Sequence, residues 1–208
     1  MFRRTLLALA LLLFPLPAAA QETITILAFG DSLTAGLGVD PQSAFPAKLE
    51  EALRSRGHDV RVINAGVSGD TTAAGRDRLD WVLTDDIDAV IVELGANDAL
   101  RGIAPAETRA ALTAILETLK QRNLPVLLAG MLAPRNLGPD YAAAFDPIFP
   151  ELAETYGVVY YPFFLDGVAT EAALNQADGI HPNPAGVAAI VSRITPAVEE
   201  LVARVATK

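Results

Sequence analysis

The sequence predicts an α/β fold, in which helices cover both faces of a five-stranded parallel sheet to form a three-layer α/β/α sandwich. Short apolar runs alternate along the chain with segments of helical periodicity. The runs at residues 24–29 and 89–94 are apolar almost throughout, which is typical of strands buried on both faces. Four separate polar motifs follow these strands and their neighbours. Ligands bind beyond the carboxyl ends of the strands in such sheets, so we expect one site at that edge.

The first predicted strand covers residues 24–29 and is followed by a turn that carries Ser32. Gly30 allows the backbone to bend sharply, and a helix is expected to begin near Ser32. A longer helix is predicted for residues 43–56, where apolar residues recur four positions apart. The remaining strands are expected at 60–64, 89–94, 126–131 and 158–161. The remaining helices are expected at 72–83, at 105–122, at 141–156 and from Pro184 onward.

Length and composition restrict the classes of protein that this chain can be. Its 208 residues are 51% hydrophobic, which suits one domain with a well-filled core. The absence of cysteine excludes disulfides, thiolate metal sites and a cysteine nucleophile. The formal net charge of −9 makes nucleic acid and anionic lipid surfaces poor partners.

Residues 1–20 have the pattern of a secretory signal peptide. Two arginines precede an apolar run at residues 6–16, and small residues stand at 18–20. Cleavage is expected after Ala20, which would leave a single domain at residues 21–208 and change the net charge to −11, because the segment contains two arginines and no acid. The run is too short to span a bilayer. We therefore expect an exported, periplasmic protein without a membrane anchor; the alternative is a buried N-terminal helix.

Ser32 is placed where a nucleophile can be presented to a ligand. It begins the turn beyond the first strand, and the unpaired N–H groups of the following helix favour an anion beside it. Attack of a serine on a carbonyl creates such an anion. The alternative is that Ser32 only caps a tight turn.

A serine nucleophile needs a base, and the sequence has two histidines. His58 stands at the amino end of a strand, so it is interpreted as a surface histidine at the opposite edge of the sheet. His181 falls at the correct edge, and Asp178 three residues earlier can accept the second ring N–H and fix the tautomer. Taken alone, Asp178 could equally be an aspartate that caps a turn.

Acyl transfer also requires donors aimed at the developing oxyanion. The candidates are the backbone N–H groups of Ser32 and Gly66 and the side-chain amide of Asn97. Gly66 and Asn97 could also be ordinary turn residues, and Asp31 and Asp98 are interpreted as residues that support the loops.

Four motifs at these positions resemble the conserved blocks of SGNH hydrolases, also called GDSL esterases. They are Gly30-Asp31-Ser32-Leu33, Gly66 within Asn64-Ala65-Gly66, Gly95-Ala96-Asn97-Asp98 and Asp178-Gly179-Ile180-His181-Pro182. Within that family the chain resembles the bacterial exported thioesterase, lysophospholipase and arylesterase group. The resemblance implies the flavodoxin-like SGNH fold, Ser32 as nucleophile, His181 as base, Asp178 as its orienting acid, and Ser32, Gly66 and Asn97 as the oxyanion hole.

We therefore predict a serine esterase that cleaves carboxylic esters or thioesters through an acyl-enzyme, as a monomer without metal or cofactor. Fatty, aryl or lysophospholipid esters suit the apolar residues expected in the loops beyond the strands, which are Leu100, Ile103, Met131, Leu132 and Leu165. Two alternatives stay open. One is a carbohydrate acetylesterase of the same superfamily, and the other is a ligand-binding protein without catalytic activity.

Overall fold

The computed structural model describes residues 23–207, and the predicted signal peptide lies outside them. Five parallel strands form one sheet in the order β2-β1-β3-β4-β5. All seven residues of β1 are buried, as expected for a central strand covered on both faces. The strands are β1 (Ile24–Gly30), β2 (Val60–Gly66), β3 (Ala89–Glu93), β4 (Val126–Ala129) and β5 (Val159–Tyr161).

Helices lie on both faces of this sheet, which confirms the predicted three-layer architecture. The helices are α1 (Ser32–Ala35), α2 (Phe45–Ser55), α3 (Thr72–Val82), α4 (Ala96–Leu100), α5 (Pro105–Gln121), α6 (Pro139–Phe145), α7 (Ile148–Tyr156) and α8 (Pro184–Ala206). Helix α2 packs against α8, and α3 packs against α5, which in turn contacts α7. The apolar stripe of α5 is fully buried in the core.

The register of the strands brings three of the predicted motifs to one edge. Gly30 at the end of β1 is paired with Gly66 of β2 on one side and with Glu93 of β3 on the other. The three chains therefore leave the sheet side by side, and the segments that carry Ser32 and Asn97 begin next to each other.

One helix prediction was wrong. The segment at residues 141–156 was expected to be a single helix, but α6 ends at Phe145 and α7 begins at Ile148. Pro147 lies between them, and a proline inside a helix removes a backbone donor and clashes with the preceding turn. Within residues 23–207 no helix has the length and apolar character needed to cross a bilayer.

Candidate active site

Ser32 is the first residue of α1, directly beyond the turn that ends β1. Asp31 caps this short helix, because its Oδ1 accepts a hydrogen bond from the Leu33 N–H at 2.9 Å. Gly30 is required for the close approach of β3: a Cβ there would lie 2.6 Å from the Glu93 carbonyl oxygen. The turn therefore holds the Ser32 side chain at the carboxyl edge of the sheet.

Ser32, His181 and Asp178 form a continuous hydrogen-bonded chain. The Ser32 Oγ is 2.9 Å from His181 Nε2, and His181 Nδ1 is 2.7 Å from Asp178 Oδ2. An ionised carboxylate only accepts hydrogen bonds, so Nδ1 carries the proton and Nε2 is left to accept the Ser32 hydroxyl. The structure thus brings these three predicted residues together in a geometry in which the imidazole can accept the proton of the serine hydroxyl.

The Asp178 carboxylate is held by its own loop. Its Oδ1 accepts the backbone N–H groups of Ile180 at 2.9 Å and His181 at 3.0 Å. These two bonds, followed by the bond from the imidazole, hold the pKa of Asp178 well below its usual range. The ionised form of Asp178 is therefore favoured, and it is the form that accepts the imidazole N–H.

Gln176 ties the loop that carries His181 to the segment that follows Ser32. Its Nε2 donates to the carbonyl of Leu37 at 2.7 Å and to that of Pro182 at 3.0 Å. Its backbone N–H also donates to the His181 carbonyl at 2.8 Å. The distance between the serine and the histidine is therefore fixed by contacts within the protein.

His58 lies away from this chain, as the sequence predicted, but it is not a free surface group. Its Nε2 is 3.3 Å from Glu199 Oε1 on α8, and its side chain is about two-thirds covered, with 31% exposed. His58 therefore links the segment before β2 to a helix and takes no part in the site.

Asn97 is the second residue of α4 and lines the same cavity as Ser32 and His181. Its Nδ2 donates to Asp31 Oδ2 at 3.0 Å. An amide nitrogen has two hydrogens, so one remains for a ligand. The position of Asn97 fits the donor role expected for it.

Gly66 does not fit the donor role that the sequence suggested. It is the last residue of β2, and its N–H donates to the side-chain Oδ1 of Asn64 at 3.0 Å. A Cβ at Gly66 would lie 2.8 Å from the carbonyl oxygen of Asp31. The absence of a side chain therefore allows β2 to pack against the Ser32 turn, and the N–H is not free to bond an oxyanion.

The sequence reasoning missed Gly69, which lies three residues further along. Residues 67–70 form a tight turn closed by a bond from the Asp70 N–H to the Val67 carbonyl, and Gly69 has φ +89°. The Gly69 N–H donates to no acceptor within residues 23–207. Its carbonyl accepts Arg101 Nη2 at 2.7 Å, which places the turn beside α4. The pattern Ser68-Gly69-Asp70 was the available signal.

Two buried carboxyl groups lie beneath Ser32. Asp31 and Glu93 are both 0% exposed, and Glu93 Oε2 accepts the Thr34 hydroxyl at 2.7 Å. Burial raises the pKa of Asp31 to about 6, and burial together with the charge of Asp31 raises the pKa of Glu93 well above its usual range. Burial and the proximity of the two carboxyl groups thus favour the protonated form of both.

A cavity of about 460 Å³ opens beside Ser32. Of the five residues predicted to contact an acyl group, Leu100, Met131, Leu132 and Leu165 line this cavity. Ile103 does not line it; its backbone N–H donates to the Asp98 carbonyl, and its carbonyl accepts the Tyr141 hydroxyl. Further apolar residues on the wall are Leu33, Ala96, Ala99, Ala133, Phe163 and Ile180.

No three side chains of His, Asp or Glu within residues 23–207 are grouped closely enough to hold a metal ion.

A family model, curated relatives and a solved structure all relate this chain to the same group of proteins. The family model described as GDSL-like lipase/acylhydrolase matches residues 28–189. The chain is 40% identical to esterase TesA of Pseudomonas aeruginosa, over 93% of this chain and 95% of that protein. It is 41% identical to thioesterase 1/protease 1/lysophospholipase L1 of Escherichia coli K12, over 88% and 86%.

A solved structure agrees with these relatives. The esterase AlinE4, described as a member of the SGNH-hydrolase family, is 51% identical and superposes with a TM-score of 0.74, over 88% of this chain and 98% of its own. The family-model match at residues 28–189 includes the serine, asparagine, aspartate and histidine described above. The chain belongs to the GDSL-like lipase/acylhydrolase family.

Proposed function

We propose that this protein is a serine esterase in which Ser32 is the nucleophile, His181 the general base and Asp178 its orienting acid. The observation that carries the proposal is the chain of two bonds, 2.9 Å from Ser32 Oγ to His181 Nε2 and 2.7 Å from His181 Nδ1 to Asp178 Oδ2. A serine hydroxyl gains nucleophilic character only when a base can take its proton. The names of the relatives, an esterase and a thioesterase/lysophospholipase, support the same class of reaction.

The reaction begins when Ser32 Oγ attacks the ester carbonyl carbon and its proton passes to His181 Nε2. The imidazolium then gives this proton to the oxygen or sulfur of the leaving group, whose bond to the carbonyl carbon breaks. The acyl group stays on Ser32 as an ester. In the second half His181 takes a proton from water, which attacks the acyl carbon, and the proton returns to Ser32 Oγ as the acid leaves.

The oxyanion formed in both halves needs donors. The Ser32 N–H makes no hydrogen bond within residues 23–207, and Asn97 has one amide hydrogen left beyond its bond to Asp31. Gly69 supplies the third donor in place of Gly66, since its N–H is unpaired in the described chain and lies in the turn that contacts α4. Donors fixed before the reaction stabilise the charge that develops in the transition state.

The substrate class follows from the wall of the cavity. Its apolar side chains suit a medium-length acyl chain or an aryl group, and its volume of about 460 Å³ is in the range of small-molecule sites. We therefore propose carboxylic esters and thioesters of this kind, including lysophospholipids, as substrates. A carbohydrate acetylesterase is the second candidate, and it would place an acetyl group in the same position.

A hydrolysis profile tests the proposal. Wild type and Ser32→Ala are compared on 4-nitrophenyl esters from acetate to decanoate and on the corresponding acyl thioesters. We expect kcat/KM to rise from acetate toward octanoate and to fall to background in Ser32→Ala. A preference for acetate would favour the carbohydrate acetylesterase, and equal turnover by the variant would contradict the mechanism.

The cellular setting is part of the proposal. The pattern of residues 1–20 supports export to the periplasm and cleavage that leaves a single domain starting at Gln21. We propose that this domain acts as a monomer. Mass spectrometry of the protein from a periplasmic extract should give a chain that begins at Gln21. Retention of residues 1–20 would contradict export by this route.

A further inference from the structure

Asn175 is a buried polar residue on the wall of the apolar cavity. The residue is 8% exposed, and its Nδ2 donates to the carbonyls of Val168 at 2.7 Å and Glu171 at 2.9 Å. Both amide hydrogens are therefore used, and the two carbonyl partners fix which end of the amide is nitrogen.

The Oδ1 of Asn175 is left without a partner. No donor within residues 23–207 bonds to it, whereas the backbone carbonyl of Asn175 accepts Asn183 Nδ2 at 3.3 Å. The side-chain atoms of the described chain that are both fully enclosed and unpaired are Glu93 Oε1 and Tyr161 OH, and Asn175 Oδ1 is not among them. It therefore borders accessible space, and the cavity is the space that Asn175 lines.

An acceptor in this position requires a donor on the ligand. A buried polar group without a partner costs free energy, so an apolar ligand that covers Oδ1 loses affinity. The donor should be neutral, because Oδ1 carries no charge and the charged side chain on this wall is a cation, Arg135. A hydroxyl meets both conditions, whereas an ammonium group would be buried without a counter-ion.

We propose that Asn175 forms a hydroxyl-recognition subsite, so that the preferred esters carry a free hydroxyl group that donates to its Oδ1. The inference rests on the proposed esterase activity, because it concerns the same cavity. The hydroxyl could stand on the acyl chain, as in a hydroxy acid, or on the alcohol, as in a partially acylated polyol. Both sources present the same donor to Asn175.

Two pairs of matched esters distinguish the sources. The acyl arm compares 4-nitrophenyl 3-hydroxyoctanoate with 4-nitrophenyl octanoate. The alcohol arm compares glycerol monooctanoate with propyl octanoate. In wild type we expect the hydroxylated member of one pair to have a kcat/KM about ten- to a hundredfold higher, beyond the intrinsic difference in reactivity measured with hydroxide.

The variant Asn175→Leu removes the acceptor at similar volume and should bring this ratio to within about twofold of the intrinsic one. The ratio is taken within one preparation, so it does not depend on the fraction of protein that folds. Asn183→Leu is the matched control. It removes the bonds of Asn183 to the Ala173 and Asn175 carbonyls and its cap on α8, but Asn183 does not line the cavity. Its ratio should stay at the wild-type value.

The outcomes separate the two proposals. No preference in either arm of wild type, or a preference that survives in Asn175→Leu, would overturn the hydroxyl subsite while leaving the esterase intact. Absence of turnover on all four esters would instead contradict the proposed function. If Asn175→Leu does not fold, the wild-type ratios alone decide between a preference and none.

Discussion

Asp31 and Asp178 are two aspartates of one site, yet their surroundings are opposite. Asp31 precedes Ser32 and is 0% exposed, whereas Asp178 precedes His181 by three residues and its side chain is 45% exposed. Burial raises the pKa of Asp31 to about 6, and hydrogen bonds within its loop lower the pKa of Asp178. Packing therefore raises the pKa of one aspartate, and local hydrogen bonds lower the pKa of the other.

This difference separates the site into two parts. The nucleophile turn, residues 30–34, is built on buried groups that pack against β3 and α4. The base loop, residues 176–182, is open to solvent and is held by bonds from Gln176 and within the loop. Changes in the base loop should cost activity with little loss of stability, whereas changes in the nucleophile turn should alter both.

The largest effect is expected from the base itself. His181→Ala should lower kcat by about a thousandfold or more, because Ser32 then has no group to take its proton. The melting temperature should change little, since the residue lies in the open loop. Steady-state kinetics and thermal unfolding of the same preparation measure both, with His58→Ala as the control that keeps near-normal turnover.

A slightly smaller loss is expected from Asn97→Ala. The amide bonds an oxyanion more strongly than a neutral carbonyl, so kcat should fall by about a hundred- to a thousandfold, roughly 2.7 to 4 kcal/mol, with KM little changed. Because the Asn97 amide also donates a hydrogen bond to the buried Asp31 carboxyl group, the melting temperature should fall as well. If kcat and KM are both unchanged, Asn97 is not part of the site, whereas a changed KM with an unchanged kcat would make it a substrate contact only.

Asp178→Ala tests the open loop directly. Loss of the carboxylate frees the imidazole to adopt either tautomer, and kcat should fall by about ten- to a thousandfold. We expect the melting temperature at pH 7 to fall only slightly, because the bonds of this carboxylate are exposed to solvent and therefore contribute little stability. A large loss of stability with normal turnover of the folded fraction would reverse the distinction drawn between the two parts.

The smallest expected effect is a pH-dependent change in stability caused by Asp31, and its direction follows from the raised pKa. Asp31 has its pKa raised from 3.8 to about 6 in the folded protein, so between these values the folded state binds more protons than the unfolded state. The stability of wild type therefore falls as pH rises through this window. Asp31→Asn carries no such group, and its stability relative to wild type should increase from pH 4 to pH 7 by on the order of 1 to 3 kcal/mol.

For Asp178→Asn, the difference in stability from wild type should change with pH in the opposite direction. The pKa of Asp178 is lowered, so its contribution to stability is present above the unfolded value and is lost as pH falls below it. Urea denaturation of both variants from pH 3 to pH 7 measures the two slopes. Equal signs would show that the two carboxylates do not differ as the structure indicates.

Much of the site could be predicted because it follows from strand order and local chemistry. The apolar runs identified all five strands, and parallel strands bring their carboxyl ends to one edge, so Ser32, Asn97 and His181 were expected together. The spacing between Asp178 and His181 was enough to predict their bond, because both lie in one tight turn.

The failures have physical causes that the sequence does not display. Gly66 was expected to donate to the oxyanion, but the side chain of Asn64, two residues earlier, takes its N–H. Ile103 was expected near the substrate, but it does not line the cavity, and its carbonyl is instead bonded to the Tyr141 hydroxyl. Burial, together with the charge of Asp31, raises the pKa of Glu93, and Asp31 is more than sixty residues away in the chain.

The most direct test of the account is covalent labelling of the nucleophile. The protein is treated with a fluorophosphonate, digested and mapped by mass spectrometry, with Ser32→Ala and His181→Ala treated in parallel. We expect one equivalent of label on Ser32 in wild type, none at any serine in Ser32→Ala, and a much slower reaction in His181→Ala. Labelling of a different serine, or equal rates in wild type and His181→Ala, would contradict the assignment of Ser32 and His181 as nucleophile and base.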